Sequence, residues 1–550
     1  LTISDFAQPG HMHTDGNAIS RRSFIKATAA AASAALIGQP MTSRAASRTP
    51  SAGRPNILLI MLDQQRAQPD GYVTRDISDA VMPSLKRLRQ GAVSFDNFYC
   101  AATNCCPSRG TLITGLYAHQ TGYLTTNGMC PRLDTGFKTW GHSLRDEGYA
   151  TNWFGRWHIS REDDVEPYGF GGGTDLSKMR GKPQGIDKDP IYMESYLDWF
   201  DSNAGKGPWA TAISLTNPHD ICEYWKKEIQ DFVKQNPARA ALSSLPANLE
   251  TDEQLAGKPS IQQIWRRIIL HQYMSLRPFE TVAPGWPDLI NAYLALQQTI
   301  DIQITRVLDA LDKRPDVRDN TIIVFLADHG EYLGAHGLCG KGYALYDEAI
   351  KIPLIVKDPT GRWAKQPEVV RQQLASMVDI HGLMLTLATG GNDWRAKPQF
   401  SHLRNRLDIG AILQNPRAAG RDYVLHTCDE LPPLPHLPKA GVAPNHIVGM
   451  RTASAKLGIY SDWQPDTANV IPEGQQFELY DYNTQGGRAE LDNAASSKPA
   501  LLDEMRDRLV NDIIPRELHA PLPPDFAAAN ERAMAIFHEN FDKREAQSKK

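Results

Sequence analysis

Asn56-Ile57-Leu58-Leu59-Ile60-Met61-Leu62-Asp63 is an apolar run closed by an acid. Nothing polar alternates within it, which predicts a strand buried on both faces inside a parallel sheet. Thr321-Ile322-Ile323-Val324-Phe325-Leu326-Ala327 repeats the pattern and runs into Asp328-His329-Gly330. Ala212-Ile213-Ser214-Leu215 is a shorter version, ending in Thr216-Asn217-Pro218-His219. Ahead of Thr321, from Asp288 to Leu311, the residues Ile290, Tyr293, Leu294, Ile300, Ile304, Val307, Leu308 and Leu311 approximate a helical stripe. Strands alternating with helices predict an α/β fold, a large, mostly parallel sheet flanked by helices. Ligands of such sheets bind beyond the carboxyl ends of the strands, where Asp63, His219 and Asp328 stand.

After about residue 395 the texture changes. Residues 447–460 and 476–482 read as short strands, and the chain from Lys498 is charged and helix-prone. This predicts a smaller C-terminal α+β region on an antiparallel sheet, closed by a helix. The division is 1–52, 53–395 and 396–550. Residues 432–445, rich in Pro and Gly, are a loop. Gly171-Gly172-Gly173 is a flexible turn, since no Gly-Lys-Ser/Thr follows it. Near the start, Ser20-Arg21-Arg22-Ser23-Phe24-Ile25-Lys26 precedes a mild apolar run, Ala27 to Gly38, and small residues at Ala45-Ala46. That order resembles a bacterial twin-arginine signal peptide. It implies a twin-arginine translocase as partner and a periplasmic or secreted location. Residues 1–11, ahead of Met12, stand apart as upstream sequence.

Among 550 residues, 59 Lys+Arg balance 63 Asp+Glu to a net charge of −4, so no large positive excess exists to hold nucleic acid. No apolar run reaches the roughly 18 residues of a membrane span, so no permanent membrane anchor is expected. Seven cysteines do not make a disulfide scaffold; Cys100, Cys130, Cys222, Cys339 and Cys428 leave a disulfide open.

The chemistry gathers at Cys105-Cys106-Pro107-Ser108-Arg109-Gly110-Thr111-Leu112-Ile113-Thr114-Gly115. Pro107 suits the first turn of a helix and Gly115 its end. Cys105 then lies at a helix N-terminus, which favours an anion, and Arg109 lies one turn on, with donors to reach the same anion. The plainer reading is a vicinal disulfide or two buried thiols, neither of which needs Pro-Ser-Arg at this spacing.

This stretch resembles the sulfatase signature, Cys-x-Pro-Ser-Arg followed by x-x-Leu-x-Thr-Gly, at every fixed position. The resemblance runs from about Asn56 to about Asn493. It implies an alkaline phosphatase-like α/β domain with a small C-terminal sheet domain. It also implies that a formylglycine-generating maturation enzyme oxidises Cys105 to formylglycine, whose hydrate is the nucleophile. Asp63-Gln64 and Asp328-His329 match the family's two metal-ligand pairs. With Cys105 they would hold one divalent ion, calcium in the family. Many sulfatases have Asp-Asp and Asp-Asn at these places. Gln64 and His329 remove a carboxylate and add an imidazole, which brings manganese or magnesium into contention. The same pairs look like those of phosphonate monoester hydrolases.

Gly155-Arg156-Trp157-His158 resembles the family's Gly-Lys-Trp-His, with His158 the base that takes a proton from the hydrate. Arg156 keeps the charge of the usual lysine and adds a planar fork. Asn217-Pro218-His219 matches the family's Pro-His, with His219 near the leaving oxygen. Lys341, in Gly340-Lys341-Gly342, matches the lysine on the sulfate. Arg109, Arg156 and Lys341 are expected to hold sulfate oxygens. His119, His336 and His426 lack flanking motifs and are read as structural or rim residues. Phe477-Glu478-Leu479-Tyr480-Asp481 resembles the family's closing strand and reads as packing. The sequence thus predicts an exported sulfatase, a sulfuric ester hydrolase acting on a small-molecule or carbohydrate sulfate ester. The alternatives are a phosphonate monoester or phosphodiester hydrolase on the same site, and a silent binding protein of the same fold. Loops 160–208, 220–285 and 430–446 would choose the alcohol.

Overall fold

The computed structural model describes residues 53–548 apart from 69–71, 127–131, 161–163, 175–183, 243, 270–284, 431–443, 445 and 463–470. The twin-arginine stretch, Cys130 and nearly all of the 432–445 loop lie outside the described residues. The described chain lies within one compact unit, Pro50–Lys550.

Thirteen strands are described: β1 (Asn56–Asp63), β2 (Val93–Phe95), β3 (Phe98–Tyr99), β4 (Ala150–Gly155), β5 (Gly171–Gly172), β6 (Trp209–Pro218), β7 (Thr321–Ala327), β8 (Leu354–Lys357), β9 (Ala375–Ser376), β10 (Tyr423–Cys428), β11 (His446–Thr452), β12 (Ala455–Ser461) and β13 (Gln476–Asp481). Seven form the main sheet in the order β2-β8-β7-β1-β6-β4-β5. It is parallel from β7 to β5, while β8 runs antiparallel to both β7 and β2. The expected apolar run is its centre: every residue of β1 is buried, between parallel neighbours β6 and β7.

Two sets of helices flank the sheet. Gly185–Asn203 and Trp286–Asp312 pack together and against β6; Cys105–Thr114, Trp140–Asp146 and Ile380–Thr389 form the other set. The helix Trp286–Asp312 spans the expected stripe, and all eight stripe residues are buried. A helix about 40 Å long at 1.5 Å per residue can cover the sheet on that side. The second sheet is antiparallel, β10-β11-β12-β13. Its last three strands match the expected ones, whereas β10 was unforeseen. Helices Pro499–Asp507 and Pro524–Ser548 close the chain.

One expectation is corrected. Gly171-Gly172 is a two-residue edge strand on β4, with Asn152 opposite Gly171 and Trp153 opposite Gly172. Ladder pairing uses only backbone groups, so glycines can serve where an edge strand is this short. The six described cysteines, Cys105 and Cys106 included, are free thiols. Among the described residues, no helix is long and apolar enough to cross a membrane.

Candidate active site

Strand register brings the site together. Leu62 pairs with Leu215 on one side and Ala327 on the other, and a register shift then sets Asp63 beside Pro218. Asp63, Asp328 and the turn bearing His219 therefore share one end of the sheet. The helix Cys105–Thr114 meets them there, ending at Gly115 with φ of +70°. Ser108 anchors it: its hydroxyl donates to the Asp328 carbonyl at 2.6 Å.

Cys105 Sγ lies 3.0 Å from His329 Nε2 and 3.7 Å from Asp63 Oδ1. His329 Nε2 is 3.6 Å from both Asp63 Oδ1 and Asp328 Oδ1. One ligand atom each from Asp63, Cys105, Asp328 and His329 falls within 4.8 Å of the others, and all four residues are buried. His329 Nδ1 faces the Gly330 carbonyl at 3.0 Å. That nitrogen donates; burial opposes a second proton, but Asp328 and Cys105 raise the ring's pKa to about 9, and a cation in the cluster would replace the Nε2 proton and take its lone pair, as in metal-bound histidines. Two carboxylates and such an imidazole fit a divalent cation.

The expected fifth ligand, Gln64, is differently engaged. Its carboxamide oxygen accepts from Lys341 Nζ at 2.6 Å and from Cys222 Sγ at 3.2 Å; its amide nitrogen donates to Glu331. Its backbone N–H donates to Asp328 Oδ1 at 3.0 Å. Gln64 and His158 take φ of +68° and +54°. Such left-handed conformations in non-glycine residues concentrate at functional sites.

Arg109 is fully buried. It donates to Asp328 Oδ2 (3.0 Å), Asp63 Oδ2 (2.9 Å), the carbonyls of Arg156 (2.8 Å) and Trp157 (3.3 Å), and Ser214 Oγ (3.0 Å). Three of these contacts share Nη1, while Nη2 meets Asp63 alone among the contacts named. In this geometry Arg109 holds the carboxylates in place. Arg156 is half-buried, with Nε 2.7 Å from Asp63 Oδ2 and a terminal nitrogen 3.1 Å from His158 Nδ1. Burial opposes ionisation of Asp63, but Arg156, His219 and Arg109 overcome it and hold its pKa well below the usual carboxylate range.

His158 and His219 are half-buried side chains whose pKa values lie well below 6.5. Burial is the first cause for both; Arg156 then adds for His158 and Lys341 for His219. Burial also works against the Lys341 ammonium, yet Cys105, Cys222 and Asp63 keep its pKa raised. The site therefore holds His158 and His219 neutral, among the cations Arg109, Arg156 and Lys341.

Local packing explains the motif residues. A Cβ at Gly155 would lie 1.9 Å from the Ser214 carbonyl oxygen, and φ there is +100°, so only glycine lets the chain turn toward Arg156. A Cβ at Gly330 would lie 2.1 Å from the Glu348 carbonyl oxygen. Trp157 is buried among Trp153, Tyr168 and Phe170, which fixes where His158 emerges.

Sequence reasoning missed the supports. Asp189 accepts the N–H groups of Thr216 (2.6 Å) and Asn217 (2.9 Å), and Asp220 accepts those of Gly185 and Ile186 (2.8 Å each). Together they hold the turn that delivers His219. Glu331 accepts from the Leu333 and Gly340 N–H groups at 2.9 and 2.6 Å and steadies the Lys341 segment. Cys222 lies 3.6 Å from Lys341 Nζ. Asp220 and Glu331 stand one and two residues from site residues, which was their only signal. The motif-poor histidines His119, His336 and His426 are all buried, and His426 Nδ1 meets the Cys100 carbonyl at 2.7 Å.

The family model described as "Sulfatase" matches residues 55–390. An uncharacterized sulfatase, YidJ, of Escherichia coli is 27% identical over 374 residues, covering 61% of this chain and 68% of its own. A Delta 4,5-hexuronate-2-O-sulfatase of Bacteroides thetaiotaomicron is 26% identical over 338 residues, covering 57% of this chain and 64% of its own. Among solved structures, a 2-O GAG sulfatase matches at a TM-score of 0.63 and 21% identity, covering 84% of this chain and 92% of its own. A phosphonate monoester hydrolase from Silicibacter pomeroyi matches at 0.59 and 20%, covering 85% and 96%. The two solved structures speak to the fold.

Proposed function

Since the chain belongs to the sulfatase family, we propose that it hydrolyses a sulfate ester at Cys105, with a sulfated carbohydrate as the substrate class. One observation carries the reading: the Cys105 thiol, at a helix N-terminus, lies 3.0 Å from His329 Nε2 and 3.7 Å from Asp63 Oδ1. Asp63, Asp328, His329 and the group at 105 would hold a divalent ion, with the Gln64 oxygen as a further donor. Calcium is the family's ion, with manganese or magnesium as the competitors. A divalent ion held there would supply Lewis-acid chemistry, lowering the pKa of a hydroxyl on the matured residue at 105, which is the nucleophile for sulfur.

The chain's own residues do the rest. Arg109 fixes the two carboxylates. Arg156 and Lys341 face the sulfate and stabilise its developing charge. His158, neutral in the resting site, accepts a proton from the group at 105. His219 is also neutral at rest; a bound anionic ester raises its pKa and lets it protonate the departing alcohol oxygen. The carbohydrate assignment is supported by the hexuronate named for one relative. Residues 20–46 support export through a twin-arginine translocase to the periplasm or beyond.

Phosphonate monoester hydrolysis is the second reading, favoured by Gln64 and His329 at the metal pairs. Rates on an aryl sulfate, a phosphonate monoester and a phosphodiester decide between them. The class itself is tested on exported enzyme. Trypsin releases Gln90 to Arg109, and the peptide should carry an aldehyde or its hydrate at 105. Cys105→Ser and Cys105→Ala should abolish turnover. An intact thiol throughout, or full turnover by either variant, removes the mechanism.

A further inference from the structure

A second buried cluster lies outside the catalytic set. His119 belongs to the short helix Ala118–Thr121, just past the turn that ends the Cys105–Thr114 helix. Asp429 follows β10, and His446 opens β11. Their exposures are 5%, 2% and 0%. His119 Nε2 lies 2.9 Å from Asp429 Oδ2, and His446 Nδ1 lies 2.6 Å from Asp429 Oδ1. The three ligand atoms fall within 4.8 Å of one another.

Asp429 differs from the other buried acids in having an imidazole on each oxygen. Several other buried acids have a Lys or Arg partner, as Asp379 has Arg421, Glu250 has Lys258 and Glu490 has Lys456, and Glu478 is met by Gln262 and two tyrosine hydroxyls. Asp189 and Asp220 are instead met by backbone N–H groups. Asp429 has neither among the described residues; each of its oxygens faces one imidazole nitrogen. Burying a carboxylate is costly without a compensating charge. Here that charge is either a proton on one imidazole or a cation.

We propose that His119, Asp429 and His446 form a second metal site, selective for a transition-metal ion of the zinc type. Two imidazoles and one carboxylate are a zinc-class donor set and leave one tetrahedral position for water. The nitrogens facing Asp429 offer lone pairs once each ring proton sits on the other nitrogen, so no oxidant or other reactant is needed. Bonds of about 2.0 Å place tetrahedral ligands about 3.3 Å apart. The present separations of 2.9 and 2.6 Å would open by about 0.4 and 0.7 Å on that geometry.

The ion's role is structural. Glu430, next to Asp429, accepts the Thr126 N–H at 2.8 Å, and Thr126 Oγ1 accepts the Cys106 N–H at 3.4 Å. Asn530, on the closing helix, donates to the His119 carbonyl at 2.9 Å. Metal here ties the second sheet and the closing helix to the segment beside Cys105.

The test uses the full chain, stripped with chelator and titrated with Zn(II). Wild type should bind one more equivalent than Asp429→Asn, and Zn(II) should raise the thermal midpoint of an Asp328→Asn variant, whose catalytic ligand set is broken. Wild-type crystals soaked in Zn(II) should show an anomalous peak between the three side chains, a readout that does not depend on any variant folding. No such peak, or equal stoichiometry in wild type and a folded Asp429→Asn, means a hydrogen-bonded triad only and overturns the proposal. Aryl sulfate turnover is independent of either result, so the catalytic reading stands or falls separately.

Discussion

Arg109 separates two accounts of the site, and its replacement gives a measurable difference. If the guanidinium positions Asp63 and Asp328, Arg109→Ala leaves two fully buried carboxylates without their shared cation. Breaking a buried pair by removing one partner costs about 3–5 kcal/mol. Arg109→Lys keeps the charge, but one ammonium cannot span both carboxylates and also reach Ser214 and two carbonyls. The loss of one or two charge-assisted bonds is then about 2–4 kcal/mol. A divalent ion compensates the same carboxylates, so the gap to wild type should narrow at saturating metal through linkage. Urea unfolding of wild type and both variants, with chelator and with metal, measures these differences. If Arg109→Lys unfolds like wild type in chelator and only KM for the ester rises, the guanidinium is a substrate contact and the positioning argument fails.

Other substitutions test other links. Gly155→Ala forces a Cβ into the Ser214 carbonyl at positive φ; overpacking and left-handed strain together predict a loss of about 2–5 kcal/mol and a lower kcat, and a urea midpoint equal to wild type would show that the close approach is absent. His336 donates to Glu250 at 2.7 Å and sits 3.6 Å from Glu348, which raise its pKa above 6.5 against the opposing effect of burial. The folded state therefore holds this proton more tightly, and its contribution is complete below pH 6.5 and lost as pH rises through the folded pKa. His336→Gln should flatten that alkaline decline in urea midpoints; an unchanged slope would assign the decline to other groups. Arg156→Lys loses the fork that meets both Asp63 and His158; one charge-assisted bond predicts about a tenfold fall in kcat/KM, and an unchanged value on the aryl sulfate would show that the fork contributes nothing.

The parts legible in the sequence are those written in contiguous patterns. β1, β7 and the long helix were readable because apolar period and length declare burial directly. The residues meeting at Cys105 were readable because each carries a local motif. The supports were not, because they act across the chain: Asp189 holds a turn 27 residues away, and Glu331 meets Gln64 across 267. Nothing near Asp189 in sequence distinguishes it from a surface acid of its helix. β10 escaped because its residues, Tyr423 to Cys428, mix small polar and apolar side chains. Their burial comes from tertiary packing that no period records. For Arg109 a helix position fixes reach, not which anion is reached, and its contacts with Asp63 and Asp328 carry no sequence signal.

The cations of the site divide by how they are held, and the division bears on the order of events. Arg109 has five acceptors, the Asp63 and Asp328 carboxylates among them. Lys341 rests on a neutral amide oxygen and a thiol, and Arg156 on Asp63 and the His158 ring. A sulfate ester carries negative oxygens, which are stronger acceptors than an amide or an imidazole. On the reading proposed above, substrate therefore draws Lys341 from Gln64 and Arg156 from His158, while Arg109 keeps the carboxylates in register. A guanidinium donating to Nδ1 occupies the lone pair that a base needs. Release of that contact frees His158 to accept a proton only when a substrate anion is present, which keeps the base idle in the empty site.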